Sequence, residues 1–307
     1  MQVTKPQKAE NADLVKLQFP ALALPKIDGV RGLFITSQFT GRTLKAFKNQ
    51  NITDAYSHPA LAGFDGELCH GSIYNPNQDL CRNTTGLVNS LRYNTAGEIP
   101  NLYVFDYLTR ETADLPYADR WILANRMVDQ LTEDGQFSYL RKIPHTALVN
   151  SLEEVETIHA EYLASGFEGT VLRKLTAPHK NGRCTVNEGN YMRIKDFTSE
   201  EGVVIDFSEA QANLNPVIIN ALGHTERSTS KVGKTGNGMV GSIVVERNSG
   251  ELVVLGPGRL SHEERIDFWE NPQKLLGKTV TFKYMPYGSF NKPRFAMFEN
   301  FRATEDM

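Results

Sequence analysis

Leu24-Pro25-Lys26-Ile27-Asp28-Gly29-Val30-Arg31-Gly32 sets one lysine between two apolar runs, Ala21 to Leu24 and Leu33 to Thr36. A lysine among strand residues ordinarily marks an exposed edge. Here Asp28, Arg31 and two glycines crowd it, and Gly29 permits a close backbone approach that a Cβ would block. Four further stretches follow in order: Phe64-Asp65-Gly66-Glu67-Leu68, Tyr103-Val104-Phe105-Asp106-Tyr107, Phe167-Glu168-Gly169-Thr170-Val171-Leu172-Arg173 and Arg193-Ile194-Lys195-Asp196-Phe197.

These residue types can carry nucleophilic chemistry. An amine attacks only when unprotonated, so Lys26 would need burial or neighbouring cations to lower its pKa from about 10.4. Arg31, Arg193 and Lys195 can supply that field if the fold gathers them, and can neutralise charge developing on a phosphate. Glu67 and Glu168 read either as surface acids in turns or as groups that bind Mg²⁺, accept from a ribose hydroxyl or help remove the lysine proton. Phe105 ends an apolar strand and reads as core on its own.

The ordered set resembles the motifs of covalent nucleotidyltransferases, most closely the small ATP-dependent DNA ligases of bacteriophages and viruses. The resemblance implies that Lys26 takes AMP from ATP as a phosphoramidate, with Leu24, Asp28 and Arg31 in the same motif. Asp28 would be partly structural and act on the reacting hydroxyl in later steps. It places Glu67 on the ribose and Glu168 near the lysine and the metal, so that both are expected Mg²⁺ ligands. It stacks Phe105 on adenine, a use of the ring face that needs no hydrogen bond. It puts Arg42 on ribose or nucleic-acid phosphate, with Lys45 either assisting or simply solvated. The family's Lys-x-Lys stands here as Arg193-Ile194-Lys195, and Arg binds phosphate in a fork where Lys is a point charge. Arg294 and Arg302 match parts of a C-terminal basic segment that touches the β- and γ-phosphates. The partner implied is nicked double-stranded DNA, held through phosphates with little sequence preference. An RNA ligase or an mRNA-capping guanylyltransferase shares the lysine chemistry, and a catalytically dead nucleic-acid-binding scaffold is the reading from another class.

The 307 residues suggest two domains, and a net charge of −3 means that any polyanion must be met by local patches. Cys69, Cys81 and Cys184 form no zinc spacing and read as free thiols of a reducing cytoplasm. No run of about 18 apolar residues is present, so no membrane span is expected; a soluble protein working as a monomer is the expectation.

Along the chain, residues 1 to 13 read as a polar tail and Asn75 to Asn94 as a surface loop with a short helix. A helix is expected from near Pro116, with Trp121, Ala124, Met127, Val128 and Leu131 inward and Arg120 and Arg126 on other faces. Ser151 and Glu154 have capping-box spacing for a second helix (Leu152, Val155, Ile158 and Leu163 inward), which Gly166 stops before a strand at Thr170 to Leu172. Glu200-Glu201-Gly202 reads as a hinge. Beyond it come strands at 203–207, 239–246, 252–255, 279–284 and 294–298, with a helix capped by Ser261 and Glu264 between the third and fourth. That order is expected of an OB-fold. Thr225 to Asn237, with Arg227, Lys231 and Lys234, reads as a mobile basic loop or a solvated linker. The expected architecture is α+β: a nucleotidyltransferase domain at 1–198 built of ATP-grasp-like antiparallel sheets with helices, then an OB-fold β-barrel at 199–307.

Overall fold

The computed structural model describes residues 2–74, 79–91, 97–133, 135–286 and 293–302. It is an α+β chain of two compact units, Met1–Lys195 and Asp196–Met307.

The first unit holds two five-stranded sheets. One runs in the order Glu10–Asn11, Tyr191–Lys195, Gly169–Lys174, Ala21–Pro25, Ala147–Val149; the other runs Thr40–Gly41, Val30–Leu33, Phe64–Cys69, Asn101–Tyr107, Leu140–Lys142. Ala21–Pro25 is buried at every position, as its unbroken apolar run requires, and it packs with Val155 and Tyr162 of the helix Leu152–Ala164. Asn101–Tyr107 instead alternates, sending Leu102, Val104 and Asp106 inward and leaving Phe105 half-buried on the opposite face. The chain leaves the first sheet at Pro25 and enters the second at Val30, so Lys26 to Gly29 is the crossover between them. A Cβ on Gly29 would stand 2.3 Å from the carbonyl oxygen of Leu68, so no side chain fits this crossing.

Several expectations are corrected here. The polar tail is partly built into the fold: Gln7–Lys8 pairs in parallel with Gly182–Arg183, and Glu10–Asn11 with Met192 and Arg193. The helix Tyr117–Glu133 does bury Ala124 and Val128, but Arg120 is buried with them because Asp106 waits on the strand beneath. Ser151 caps Glu154 N as its spacing suggests; the Glu154 carboxylate, however, accepts from Asn150 N at 2.8 Å. Gly166, at φ 88°, ends the helix. In the 75–94 segment a helix, Leu80–Val88, is present; 75–78 and 92–94 lie outside the described residues.

In the second unit the sheet order is Leu252–Leu255, Lys234–Arg247, Thr198–Asn213, Thr279–Met285, Arg294–Phe301, all neighbours antiparallel. The helix His262–Glu270 lies between the third and fourth strands in sequence, with a complete Ser261/Glu264 capping box. A single parallel bridge, Gly256 to Met297, links the two edges of the sheet. Glu200-Glu201-Gly202 is no hinge: all three lie inside Thr198–Asn213 and pair with Phe282, Thr281 and Val280. The basic loop is largely ordered backbone too, since Thr225–Arg227 pairs with Val217–Ile219 and Lys234 opens a 14-residue strand.

Candidate active site

Backbone register brings the chemistry together. Beyond the pairing of Pro25 with Thr170, Lys26 N donates to Gly169 O at 2.8 Å and Glu168 N donates to Lys26 O at 2.9 Å. Gly169 also pairs with Lys195. It adopts φ 151°, and a Cβ there would sit 2.2 Å from Ile194 O, so glycine is required for three backbones to meet. The outcome is a buried Glu168 carboxylate that accepts from Lys26 Nζ on one oxygen and Lys195 Nζ on the other. The Lys26 side chain is 21% exposed, so the amine is covered without being sealed from solvent.

The electrostatics depart from expectation in one respect. Burial pushes the Lys26 amine down, but the charges of Glu168, Glu67 and Asp28 and the Glu168 hydrogen bond outweigh it, and its pKa lies above the ordinary lysine value. The expected depression falls on Lys195 instead, through burial first and then the charge of Lys26. One carboxylate shared by two ammonium groups cannot hold both equally. Burial alone would raise Glu168, yet the two lysines keep it below the usual carboxylate range. Glu67, opposite Arg31 on the second sheet, is pushed up to about 7 by burial despite the opposing charges of Lys26 and Arg31.

Arg31 was expected to lend Lys26 a cationic field. It is committed elsewhere: its fork grips Asp65 at 2.8 and 2.5 Å, its remaining nitrogen donates to Gln7 O at 2.6 Å, and the guanidinium lies 5.3 Å from the Phe105 ring centre. Leu24 packs in the apolar core and Asp28 is half-buried near enough to Lys26 to raise it. Arg42 and Lys45 are exposed. Arg193 is not brought to Glu168; its Nε donates to Asn11 Oδ1 at 2.8 Å. Arg302 belongs to the second unit, where it pairs with Glu201. Lys26, Glu67, Glu168 and Lys195 therefore converge, with Arg31 and Phe105 alongside.

Residues 233–302 match the family described as the DNA ligase OB-like domain. Two crystal structures of Chlorella virus DNA ligase-adenylate align over 98% and 99% of this chain and all of theirs, at 27% and 28% identity and TM-scores of 0.52 and 0.53. A Lig E DNA ligase shares the fold at 21% identity and TM-score 0.69, over 98% of this chain and all of its own. No curated protein matches the chain.

Over nearly its whole length the chain is similar to these viral DNA ligases, and its residues 233–302 match the ligase OB-like family.

The protein surrounds this site with groups that reading the sequence assigned no role. Asp65 is the partner that fixes Arg31. Asp106 accepts from Arg120 at 2.8 and 3.1 Å and from Arg173 at 2.7 Å, and Arg173 is stacked between Tyr117 and Tyr191 at 3.9 and 4.2 Å. Burial opposes ionisation of Asp106, but the two guanidiniums hold it below its ordinary pKa. Two aromatic faces compensate the second buried cation. The signal available was the two-residue period itself, which sends Asp106 inward and so demands a buried cation as partner.

Among the described residues no cluster of three or more His, Cys, Asp and Glu could cage a metal ion. Two adjoining carboxylates, Glu67 and Glu168, suit magnesium of the kind held by one or two acids plus substrate phosphates.

Proposed function

We propose that this protein is an ATP-dependent DNA ligase that seals nicks in duplex DNA, and that Lys26 carries AMP between ATP and the DNA end. The observation that supports it most directly is the Lys26 amine held on a buried Glu168 that Lys195 shares. In the first step the Lys26 nitrogen bonds to the α-phosphorus of ATP, the bond to the β-phosphate oxygen breaks and pyrophosphate leaves. The ammonium must first give up a proton, and a carboxyl titrating near neutrality, as Glu67 does, is matched to that transfer. A 5′-phosphate oxygen then takes AMP from Lys26, and a 3′-hydroxyl finally displaces AMP from the 5′-phosphate.

Phe105 is assigned to the adenine face, Glu67 to the ribose, and Arg42, Arg193 and Lys195 to phosphates. Glu67 and Glu168 would hold Mg²⁺ together with the nucleotide phosphates, where it would neutralise phosphate charge. Arg302 is assigned to the first step, so Arg302→Ala should slow lysine labelling more than sealing of pre-adenylated DNA. We assign the nucleotidyltransferase fold, with its ATP-grasp-like sheets, to 1–198 and a closed OB barrel to 199–307. The protein is taken to work as a monomer in the cytoplasm.

Labelled ATP and Mg²⁺ followed by denaturing electrophoresis tests the reading. The expected result is a covalent label that Lys26→Ala abolishes and that nicked DNA discharges. Preferential labelling by GTP would reassign the chain to capping chemistry, and preferential sealing of nicked RNA would reassign its substrate.

A further inference from the structure

The N-terminal strap carries a lysine, Lys8, to which the chemistry at Lys26 gives no role, within a cluster of basic side chains. Pro6 and Gln7 are buried. Gln7 is pinned from two sides, its carbonyl accepting from Arg31 at 2.6 Å and its side-chain amide donating to Cys184 Sγ at 3.0 Å. Lys8 comes next. It is half-buried, its carbonyl accepts from Cys184 N at 2.9 Å, and its Cα partner in the ladder is Arg183. Arg42 follows Gly41, which pairs with Gly32 beside Arg31, so it flanks the same ground. Burial and then the charges of Arg42, Arg183, Arg31 and Lys5, in that order, push the Lys8 amine below its ordinary pKa. No carboxylate among the described residues forms an ion pair with Lys8; Glu10, at 3.6 Å, pairs with Arg183.

A pinned strap that gathers cations at an energetic cost is arranged for an anion. Arg42 and Arg183 are exposed, so the cluster opens to a ligand lying on the surface. We propose that Lys8, flanked by Arg183 and Arg42, holds a backbone phosphate of the duplex beside the Lys26 site. This rests on the DNA-sealing function above.

The test is binding of a nicked duplex lacking the 3′-hydroxyl, measured over a range of salt concentrations for wild type, Lys8→Ala and Lys8→Arg. Lys8→Ala should weaken binding roughly threefold to tenfold at moderate salt and reduce the slope of log K against log salt by about 1. Lys8→Arg should restore both. Labelling by ATP without DNA reports the fold and the Lys26 site separately. Unchanged affinity and slope in Lys8→Ala would overturn the proposal. So would unchanged DNA binding with a raised KM for ATP, which would give the cluster to the nucleotide. Failure of the wild type to label at all would sink the DNA-sealing reading instead.

Discussion

Lys26 and Glu67 show how a few neighbouring charges set the working conditions of a site. Because its pKa is raised, Lys26 is an ammonium at neutral pH, and the reactive fraction should grow tenfold per unit below that pKa. Single-turnover labelling with ATP should therefore quicken from pH 6 to pH 9; a flat or falling profile would show that proton loss does not limit the step. Glu67 gives a signed stability effect. Its folded pKa of about 7 lies above the unfolded value near 4.3, so the unfolded state binds fewer protons between them and stability falls as pH rises through that window. Glu67→Gln removes the burdened carboxyl. It should stabilise the first unit by about 3 kcal/mol at pH 8 and by under about 1 kcal/mol at pH 5, while lowering activity. Denaturant unfolding at the two pH values measures this, and equal effects at both would show that Glu67 is not the titrating group. Arg120→Leu should behave differently. It leaves buried Asp106 with Arg173 as its remaining cation, at a cost of roughly 3–5 kcal/mol, with loss of folded protein rather than a shifted pH profile.

Elements place these residues, and glycines decide how closely the elements meet. Gly169 lies where Ala21–Pro25, Gly169–Lys174 and Tyr191–Lys195 come together, and its φ of 151° would strain any other residue. Gly169→Ala should cost at least about 2 kcal/mol and push Glu168 off Lys26, so labelling should fall even in the fraction that stays folded. Ser261→Ala is the contrast. It removes a cap from His262–Glu270, worth about 1 kcal/mol, and should lower the unfolding midpoint of the second unit while ATP labelling persists. Both caps and the strand order were legible because they depend on residues three apart or on a period of two. The Thr279–Met285 strand follows its period through Val280 and Phe282, both fully buried, until a register shift turns Met285 inward in place of Tyr284. That shift was not legible, since it depends on the partner strand. For the same reason 1–13 read as a tail: two-residue strands such as Gln7–Lys8 gain their stability from ladders with chain some 175 positions away.

At the scale of the molecule, the motif order from Lys26 to Lys195 was readable, but the charge balance around Lys26 was not. Counting Arg31 among the free cations missed Asp65, and the sign of the Lys26 shift follows from that kind of pairing. The same pairing governs how an acidic protein holds a polyanion. With 33 basic against 36 acidic residues and a pI near 6.2, the overall field does not attract duplex DNA. Most basic side chains around the site face carboxylates: Lys26 and Lys195 on Glu168, Arg31 on Asp65, Arg120 and Arg173 on Asp106. What remains for phosphates is a short set at the surface, with Lys8 and Arg42 at its centre and the exposed Arg183, which shares Glu10, beside them. Binding should therefore depend steeply on salt although net charge is negative, because counterion release counts phosphates neutralised rather than total charge. For a footprint of about four phosphates, affinity for nicked duplex should drop roughly 150-fold between 50 and 200 mM salt. Weak salt dependence would mean that hydrogen bonds and apolar contacts dominate the grip, and that the surface cations are bystanders.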